Sequence, residues 1–169
     1  MKKKKILLLS DDLRMHSGIA TMSREFVIGT SEVFDWVQIG GAIKHPDKGK
    51  IVDMSQALLE EENKKGYLKI YPISGYGNPD LLREIINIEK PDALLHFTDP
   101  RFWIWLYNME HEIRQQMPIM YYNIWDDLPD PKYNKYFYKS CDLLLAISKQ
   151  TYGINKRLLP EYEDWQIKY

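Results

Sequence analysis

Lys5-Ile-Leu-Leu-Leu-Ser10 is the stretch that decides the fold. Its apolar residues follow one another without alternation, which is typical of a strand buried on both faces, as in a parallel sheet. After a short polar loop, Ser17 is a suitable N-cap for a helix. Apolar residues then recur on one predicted helical face, at Ile19, Met22 and Phe26. The stretch therefore predicts a strand, a loop and a helix.

The same succession of apolar runs and helical patterns continues to the end of the chain. Further strands are predicted at Val33–Ile39, Leu68–Ile73, Ala93–Phe97, Ile119–Tyr122 and Leu143–Ile147. Helices are predicted from Asn78 to Lys90, with Leu81, Leu82, Ile85 and Ile86 buried, and at Arg101–Gln115, Pro131–Lys139 and Lys149–Leu159. Residues 42–65 are interpreted as an insertion with a short strand near Ile51 and a short helix near Leu58. We predict a Rossmann-like α/β fold: a doubly wound, mostly parallel sheet with helices on both faces.

Length and composition are those of one soluble domain. The chain has 169 residues, 44% of them hydrophobic, and a formal net charge of −1. Such a charge exerts no long-range attraction on nucleic acid or anionic membrane, so we expect neither partner. A single cysteine, Cys141, allows no disulfide within the chain, and no apolar run approaches the ~20 residues of a membrane span. We expect a single cytoplasmic domain over residues 1–169.

Polar side chains follow the predicted strands, where parallel α/β sheets bind their ligands. The first strand leads to His16, Ser17 and Gly18, and the fourth to His96, Asp99 and Arg101. The fifth leads to Asn123, Trp125, Asp126 and Asp127, and the sixth to Ser148 and Lys149. Because carboxyl ends of parallel strands meet at one edge, these residues form the candidate site.

Each feature of this candidate site has a structural alternative. The free N–H groups of a helix beginning at Ser17-Gly18 favour a phosphate, but a plain N-cap with a permissive glycine has the same sequence. Asp126 or Asp127 suits a base that orients or deprotonates a hydroxyl, but aspartates beside prolines also form turns. For Trp103 and Tyr107, core packing is favoured over stacking on a sugar.

Two other kinds of site lack their sequence signals. Gly75-Tyr76-Gly77 has Asp80 where a dinucleotide fingerprint needs its third glycine, so a helix-opening turn is the better interpretation. The histidines are scattered and only one cysteine accompanies them, which predicts no metal site. They are His16, His45, His96 and His111.

Four stretches together resemble the amino-terminal domain of GT4-type retaining glycosyltransferases, relatives of the glycogen and sucrose synthases. Lys5–Ser10 leading to His16-Ser-Gly-Ile-Ala20 is similar to the first strand and its glycine loop. Asn78–His96 is similar to the helix and strand before the acceptor region. Asn123-Ile-Trp-Asp-Asp127 and Cys141-Asp-Leu-Leu-Leu-Ala-Ile-Ser-Lys149 are similar to two later strand ends.

The resemblance implies a two-domain GT-B enzyme that moves a sugar from a nucleotide-sugar donor to a hydroxyl acceptor without a metal or other cofactor. In such enzymes the amino-terminal domain binds the acceptor, and its glycine loop, here Ser17-Gly18, approaches the donor phosphates. A carboxy-terminal domain with a Glu-x7-Glu motif binds the nucleotide, and these residues do not contain it. We therefore expect negligible activity from this chain alone. The loop Trp125-Asp126-Asp127 departs from the family, since many members have a histidine there.

Two other functions remain compatible with these residues. A non-catalytic sugar- or nucleotide-binding module shares the fold and differs in having no donor domain elsewhere. A receiver-like signalling domain shares the acidic pair in Leu9-Ser-Asp-Asp12 and a late lysine, Lys149. Such a domain needs an aspartate at the end of its third strand, where this chain reads Tyr71-Pro-Ile-Ser74.

Overall fold

The computed structural model describes residues 2–42, 44 and 46–169, and shows one sheet of eight strands flanked by helices. The strands are β1 (Lys4–Asp11), β2 (Phe34–Gly41), β3 (Val52–Asp53), β4 (Leu68–Pro72), β5 (Ala93–Phe97), β6 (Ile119–Asn123), β7 (Leu143–Ala146) and β8 (Ile167–Lys168). The helices are α1 (Gly18–Thr30), α2 (Ser55–Glu62), α3 (Pro79–Glu89), α4 (Ile104–Asn108), α5 (Glu110–Arg114), α6 (Lys135–Lys139) and α7 (Lys149–Leu158). Pro100–Trp103 and Lys132–Asn134 form 3₁₀ turns. His45, one of the scattered histidines, lies outside the described residues.

The strands lie in the order β3-β4-β2-β1-β5-β6-β7-β8, and every pair is parallel except β3 with β4. Counted along the chain, the first six parallel strands have the Rossmann order 3-2-1-4-5-6. This confirms the predicted fold class. Receiver domains have the order 2-1-3-4-5, so the receiver-like alternative is wrong. The strand order reverses between β1 and β5, and ligands of such folds bind at that point.

Alternate residues of β1 show why the sheet needs cover on both faces. Leu7 and Leu9 pack into a core beneath α3 to α7, whereas Ile6 and Leu8 pack into a second core on the α1 side. All four are buried. Burial of each such side chain contributes about 1.5–3 kcal/mol, which explains the unbroken apolar run in the sequence.

The buried face of α1 differs from the predicted one. Met22 and Phe26 are 39% and 38% exposed, and the residues that face the sheet are Ala20, Ser23 and Val27. Each lies one position after a predicted residue, which rotates the face by about 100°. Small side chains at 20 and 23 let the helix lie close to β1, where the Ser23 hydroxyl donates to Ser10 Oγ (3.3 Å).

The predicted helix Arg101–Gln115 is also wrong as a single element. The segment is a 3₁₀ turn followed by α4 and α5, because the backbone leaves helical geometry at Trp103 (φ −119°, ψ 30°) and Met109 (φ −108°, ψ 17°). Trp103 and Tyr107 are fully buried, which confirms core packing over sugar stacking for this pair. Similarly, Pro131–Lys139 is a 3₁₀ turn and α6 rather than one helix.

No helix in the described part of the chain combines the length and the apolar character that crossing a membrane requires.

Candidate functional site

The loop after β1 delivers an open helix start. Ser17 caps α1: its Oγ accepts the N–H of Ala20 at 3.0 Å and donates to Asp11 Oδ2 at 2.9 Å. His16 and Gly18 are exposed, and a Cβ placed on Gly18 would have no atom within 4 Å. The first turn of α1 is therefore accessible to a ligand, and packing does not explain the glycine.

The carboxylates of Asp11 and Asp12 precede this helix start, and Arg14 neutralises that of Asp12. Asp12 is fully buried, and Arg14 donates to it from its backbone N–H (2.9 Å), Nε (3.0 Å) and Nη2 (3.0 Å). The bonds to Asp12 and Asp47 raise the pKa of Arg14 against the effect of burial. Gly40 on the next strand makes room for this pair, since a Cβ there would lie 2.6 Å from Asp12 Oδ2. Asp12 is thus a structural residue.

Asp99 and Arg101 form an ion pair at the end of β5. The Asp99 carboxylate accepts the backbone N–H of Arg101 at 2.9 Å and Nε at 2.9 and 3.0 Å, and also pairs with Nη2. Burial would raise the pKa of Asp99, but the hydrogen bonds from Arg101 hold it below its usual value. The carboxylate stays ionised at neutral pH and fixes the guanidinium above the strand end.

Tyr76 is a site residue that sequence reasoning missed. Its ring stacks on Phe102 at 5.0 Å with an interplanar angle of 7°, and meets Trp103 edge-on at 5.5 Å. Burial raises the pKa of Tyr76, and the charges of Asp11 and Asp99 raise it further. The available signal was the pair of flanking glycines, both of which have positive φ (70° and 78°) and so form a sharp turn that presents the tyrosine.

The two candidate catalytic aspartates lie side by side in the loop after β6 but have different contacts. Asp127 Oδ1 accepts the N–H of Leu128 at 2.7 Å, and its carbonyl accepts Trp125 Nε1 at 2.8 Å, so Asp127 shapes the turn. Asp126 is exposed, and no donor bonds to its carboxylate within the residues that the structure describes. Of the two, Asp126 is the carboxylate that is free to meet a ligand.

The start of α7 supports that loop. Ser148 caps the helix by accepting the N–H of Thr151 at 3.1 Å. Thr151 Oγ1 donates to the carbonyl of Trp125, and Gln150 Nε2 donates to that of Asp126, both at 2.8 Å. Lys149 is exposed, with its Nζ 6.0 Å from the centre of the Tyr169 ring. The loop and the first turn of α7 thus form one connected unit.

His96 and Asn123, which the sequence placed at the same edge, lie inside the core. His96 is fully buried, its Nδ1 lies 2.6 Å from the Tyr107 hydroxyl, and its Nε2 has no partner among the described residues. Burial lowers the pKa of His96 to about 3, so the ring is neutral. Asn123 Nδ2 donates to Asn155 Oδ1 at 2.7 Å. Both side chains are therefore buried in the core beneath the strand ends and are not exposed at the candidate site.

The remaining predicted residues lie along one edge of the sheet. They follow β1, β5, β6 and β7, which are successive neighbours, so the row spans roughly 14 Å at ~4.8 Å per strand. One half of the row carries Ser17, Asp99 and Arg101, and the other carries Asp126 and Lys149. Tyr76, from the loop after β4, stacks on Phe102 next to the first half. Over residues 2–42, 44 and 46–169, no three His, Cys, Asp or Glu side chains are arranged to hold a metal ion.

Comparison with known proteins finds a similar fold in a solved structure. No protein-family model and no curated protein matches it. Among solved structures it is similar to HepE of Anabaena, determined in complex with UDP and glucose, with a TM-score of 0.55 and 11% sequence identity. The match covers 98% of this chain and 43% of HepE, so the chain spans less than half the length of that protein. This likeness shows a shared fold over almost the whole chain.

Proposed function

We propose that this chain is the amino-terminal, acceptor-side domain of a GT-B, GT4-type glycosyltransferase, which moves a sugar from a nucleotide-sugar donor to a hydroxyl acceptor. The observation that carries the proposal is the row of accessible polar groups after four neighbouring strands, β1, β5, β6 and β7, which begins where the strand order reverses. It is supported by the likeness to a structure that holds UDP and glucose.

Asp126 is the residue assigned to the acceptor. Its carboxylate is exposed and unpaired within the described residues, while its carbonyl is held by Gln150. A positioned carboxylate of this kind orients an acceptor hydroxyl and takes up its proton as the new glycosidic bond forms. Asp127 keeps the loop in shape for that role.

The open start of α1 is assigned to the donor phosphates. Its exposed first turn and its dipole favour an anion, and Lys149 adds a positive charge at the far end of the row. The negative charge of Asp11 disfavours an anion at this helix start, because its carboxylate accepts a hydrogen bond from the Ser17 hydroxyl. Phosphate binding here therefore needs further cations from a second domain, which agrees with a chain that spans 43% of HepE.

The test compares two proteins: residues 1–169, and the chain extended through the open reading frame beyond Tyr169. Each is incubated with UDP- and GDP-sugars and a panel of hydroxyl acceptors, and glycoside formation is followed by mass spectrometry. We expect turnover by the extended chain and negligible turnover by residues 1–169, since the positioning of the donor is lost. Robust turnover by residues 1–169 alone would contradict this division of roles.

In the extended chain, Asp126→Asn should lower kcat by about 10²–10⁴-fold, the usual contribution of a general base. Asp80→Asn is the matched control, because that carboxylate is 94% exposed and lies at the start of α3. Equal kcat values for the two variants would remove Asp126 from the mechanism. Nucleotide-sugar binding without turnover, with a stop codon after Tyr169, would instead identify a non-catalytic binding module.

A further inference from the structure

An aromatic ring with one open face lies beside the ion pair at the end of β5. Phe102 is 56% exposed although Tyr76 covers one of its faces in a parallel stack at 5.0 Å. The opposite face of the ring is therefore open to solvent. Trp103, which contacts Tyr76 edge-on, is fully buried and anchors this stack to the core.

Next to the open ring, Arg101 offers hydrogen-bond donors that the protein does not use. Its Nε and Nη2 bond to Asp99, whereas its Nη1 has no acceptor in the described part of the chain. The side chain is 55% exposed, and the two-residue ion pair holds its orientation. The planar guanidinium presents neighbouring N–H groups that match a pair of adjacent oxygen atoms.

A second exposed aromatic residue lies near Arg101. The ring centre of Tyr133 is 6.0 Å from the Arg101 Cζ, and Tyr133 is 59% exposed. It meets Trp125 edge-on at 5.8 Å, which connects it to the loop that carries Asp126. The exposed aromatic surface thus continues from the end of β5 toward the proposed base.

We propose that Phe102, Arg101, Asp99 and Tyr133 form a subsite for a pyranose ring, and that the acceptor is a carbohydrate. The inference rests on the proposed function and names its substrate class. A pyranose has a flat face of C–H groups, which packs on an aromatic ring, and an edge of adjacent hydroxyls, which suits a fixed guanidinium and carboxylate.

Other occupants fit these groups less well. A lipid chain or an apolar peptide would cover Asp99 and Arg101 without replacing their hydration, which is costly for charged groups. A nucleotide would bring its phosphates toward the carboxylate of Asp99, which is paired with Arg101 in the same subsite and repels them. A neutral sugar forms hydrogen bonds to Arg101 and Asp99 through its hydroxyls and covers the Phe102 ring, so it incurs neither cost.

The test is a ¹H–¹⁵N NMR titration of the 169-residue chain with methyl α-D-glucopyranoside, maltotriose and the N-acetylglucosamine trimer. Sorbitol at the same concentration is the control ligand, because it has the hydroxyls without the ring. We expect at least one ring sugar to shift the amide signals of Tyr76, Asp99, Arg101, Phe102 and Tyr133, and sorbitol to leave them unchanged.

Variants separate stacking from general apolar contact. Phe102→Ala and Phe102→Leu should both weaken sugar binding about threefold to tenfold, since neither retains an aromatic face. Trp165→Ala is the control: Trp165 is 57% exposed and precedes β8, so it lies at the opposite edge of the sheet. That variant should bind the sugars as the unmodified chain does.

Three results would overturn the subsite: no ring sugar differing from sorbitol, Phe102→Ala binding as Trp165→Ala does, or UDP shifting the same signals as the sugars. The two proposals fail separately. Sugar binding at Phe102 without transfer by the extended chain refutes the enzyme and retains the subsite. Transfer to a carbohydrate with an acceptor KM unchanged by Phe102→Ala refutes the subsite and retains the enzyme.

Discussion

Glu89 is a buried carboxylate whose removal tests how the amino edge of the sheet is held together. It lies in the last turn of α3 with a side chain 3% exposed, and it accepts hydrogen bonds from Lys5 Nζ (2.9 Å), Tyr67 Oη (2.8 Å) and Tyr71 Oη (2.7 Å). A negative charge at a helix C-terminus is unfavourable, so these three donors, together with Lys69 Nζ at 3.8 Å from Oε1, must offset both the dipole and the burial.

Replacing Glu89 with Gln keeps the shape and removes the charge. The amide oxygen can keep the bonds from Lys5 and Tyr67 while the NH₂ donates to the Tyr71 hydroxyl, so all three bonds lose their charged acceptor and Lys5 loses its counter-ion. Each hydrogen bond to a charged group contributes about 1.5–3 kcal/mol, and relief of the helix dipole returns about 0.3–1 kcal/mol. Lys5 is 23% exposed and regains part of its hydration. We expect Glu89→Gln to lower the free energy of unfolding by about 2–3 kcal/mol.

Urea unfolding followed by circular dichroism measures this loss, and a thermal scan should show a Tm lower by about 4–12 °C for a domain of this size. Glu84→Gln is the control, because Glu84 is exposed on the same helix and should change stability by no more than about 0.5 kcal/mol. A Glu89→Gln loss no larger than the control's would refute the reasoning.

The same carboxylate predicts a dependence on pH. Burial would raise the pKa of Glu89, but the hydrogen bonds from Lys5, Tyr71 and Tyr67 hold it below its usual value. A depressed folded-state pKa contributes stability that is fully present above the unfolded value of about 4.3 and is lost as the pH falls through the folded value. The difference between the unmodified chain and Glu89→Gln should therefore shrink below about pH 4.

Further predictions concern the strand ends. The His96 imidazole, whose pKa burial lowers to about 3, should show no titration between pH 5 and 8 by NMR, and a midpoint near 6.5 would mean that the ring is exposed. Ser148→Ala removes the cap of α7 and should cost about 1 kcal/mol in urea unfolding. It should also speed amide hydrogen exchange in residues 125–128, and unchanged exchange there would separate this loop from α7. If the proposed function holds, Asp126→Asn in the extended chain should lower kcat and leave stability unchanged, since that carboxylate is exposed.

The fold was predictable because its signals are local. Unbroken apolar runs such as Leu7–Leu9 require cover on both faces, and capping residues such as Asn78 begin helices whatever lies around them. The buried face of α1 was not predictable in the same way. Periodicity favours large apolar residues, whereas the close approach of this helix to β1 requires small ones, Ala20 and Ser23.

The arrangement of the candidate site was predictable at the level of strand ends and not at the level of contacts. The position of Asp99 and Asp126 at one edge follows from parallel strands alone. Polarity also placed His96 there, but the next helical segment folds Trp103 and Tyr107 over it and encloses it. Tyr76 was missed because its contacts come from residues far along the chain, and a tyrosine in a turn has no periodicity.

The packing of Gly40 against Asp12 has a consequence for how this sequence can change over evolution. A side chain at position 40 is excluded by the whole Asp12 side chain, because an added Cβ would lie 2.6 Å from Asp12 Oδ2 and 2.9 Å from both its Cβ and its Cγ. With this backbone, relatives that carry alanine or a larger residue at position 40 should therefore carry glycine at position 12, and selection to keep Arg14 should then relax. Neither position is expected to drift alone, so paired substitutions in newly sequenced homologues would record this contact.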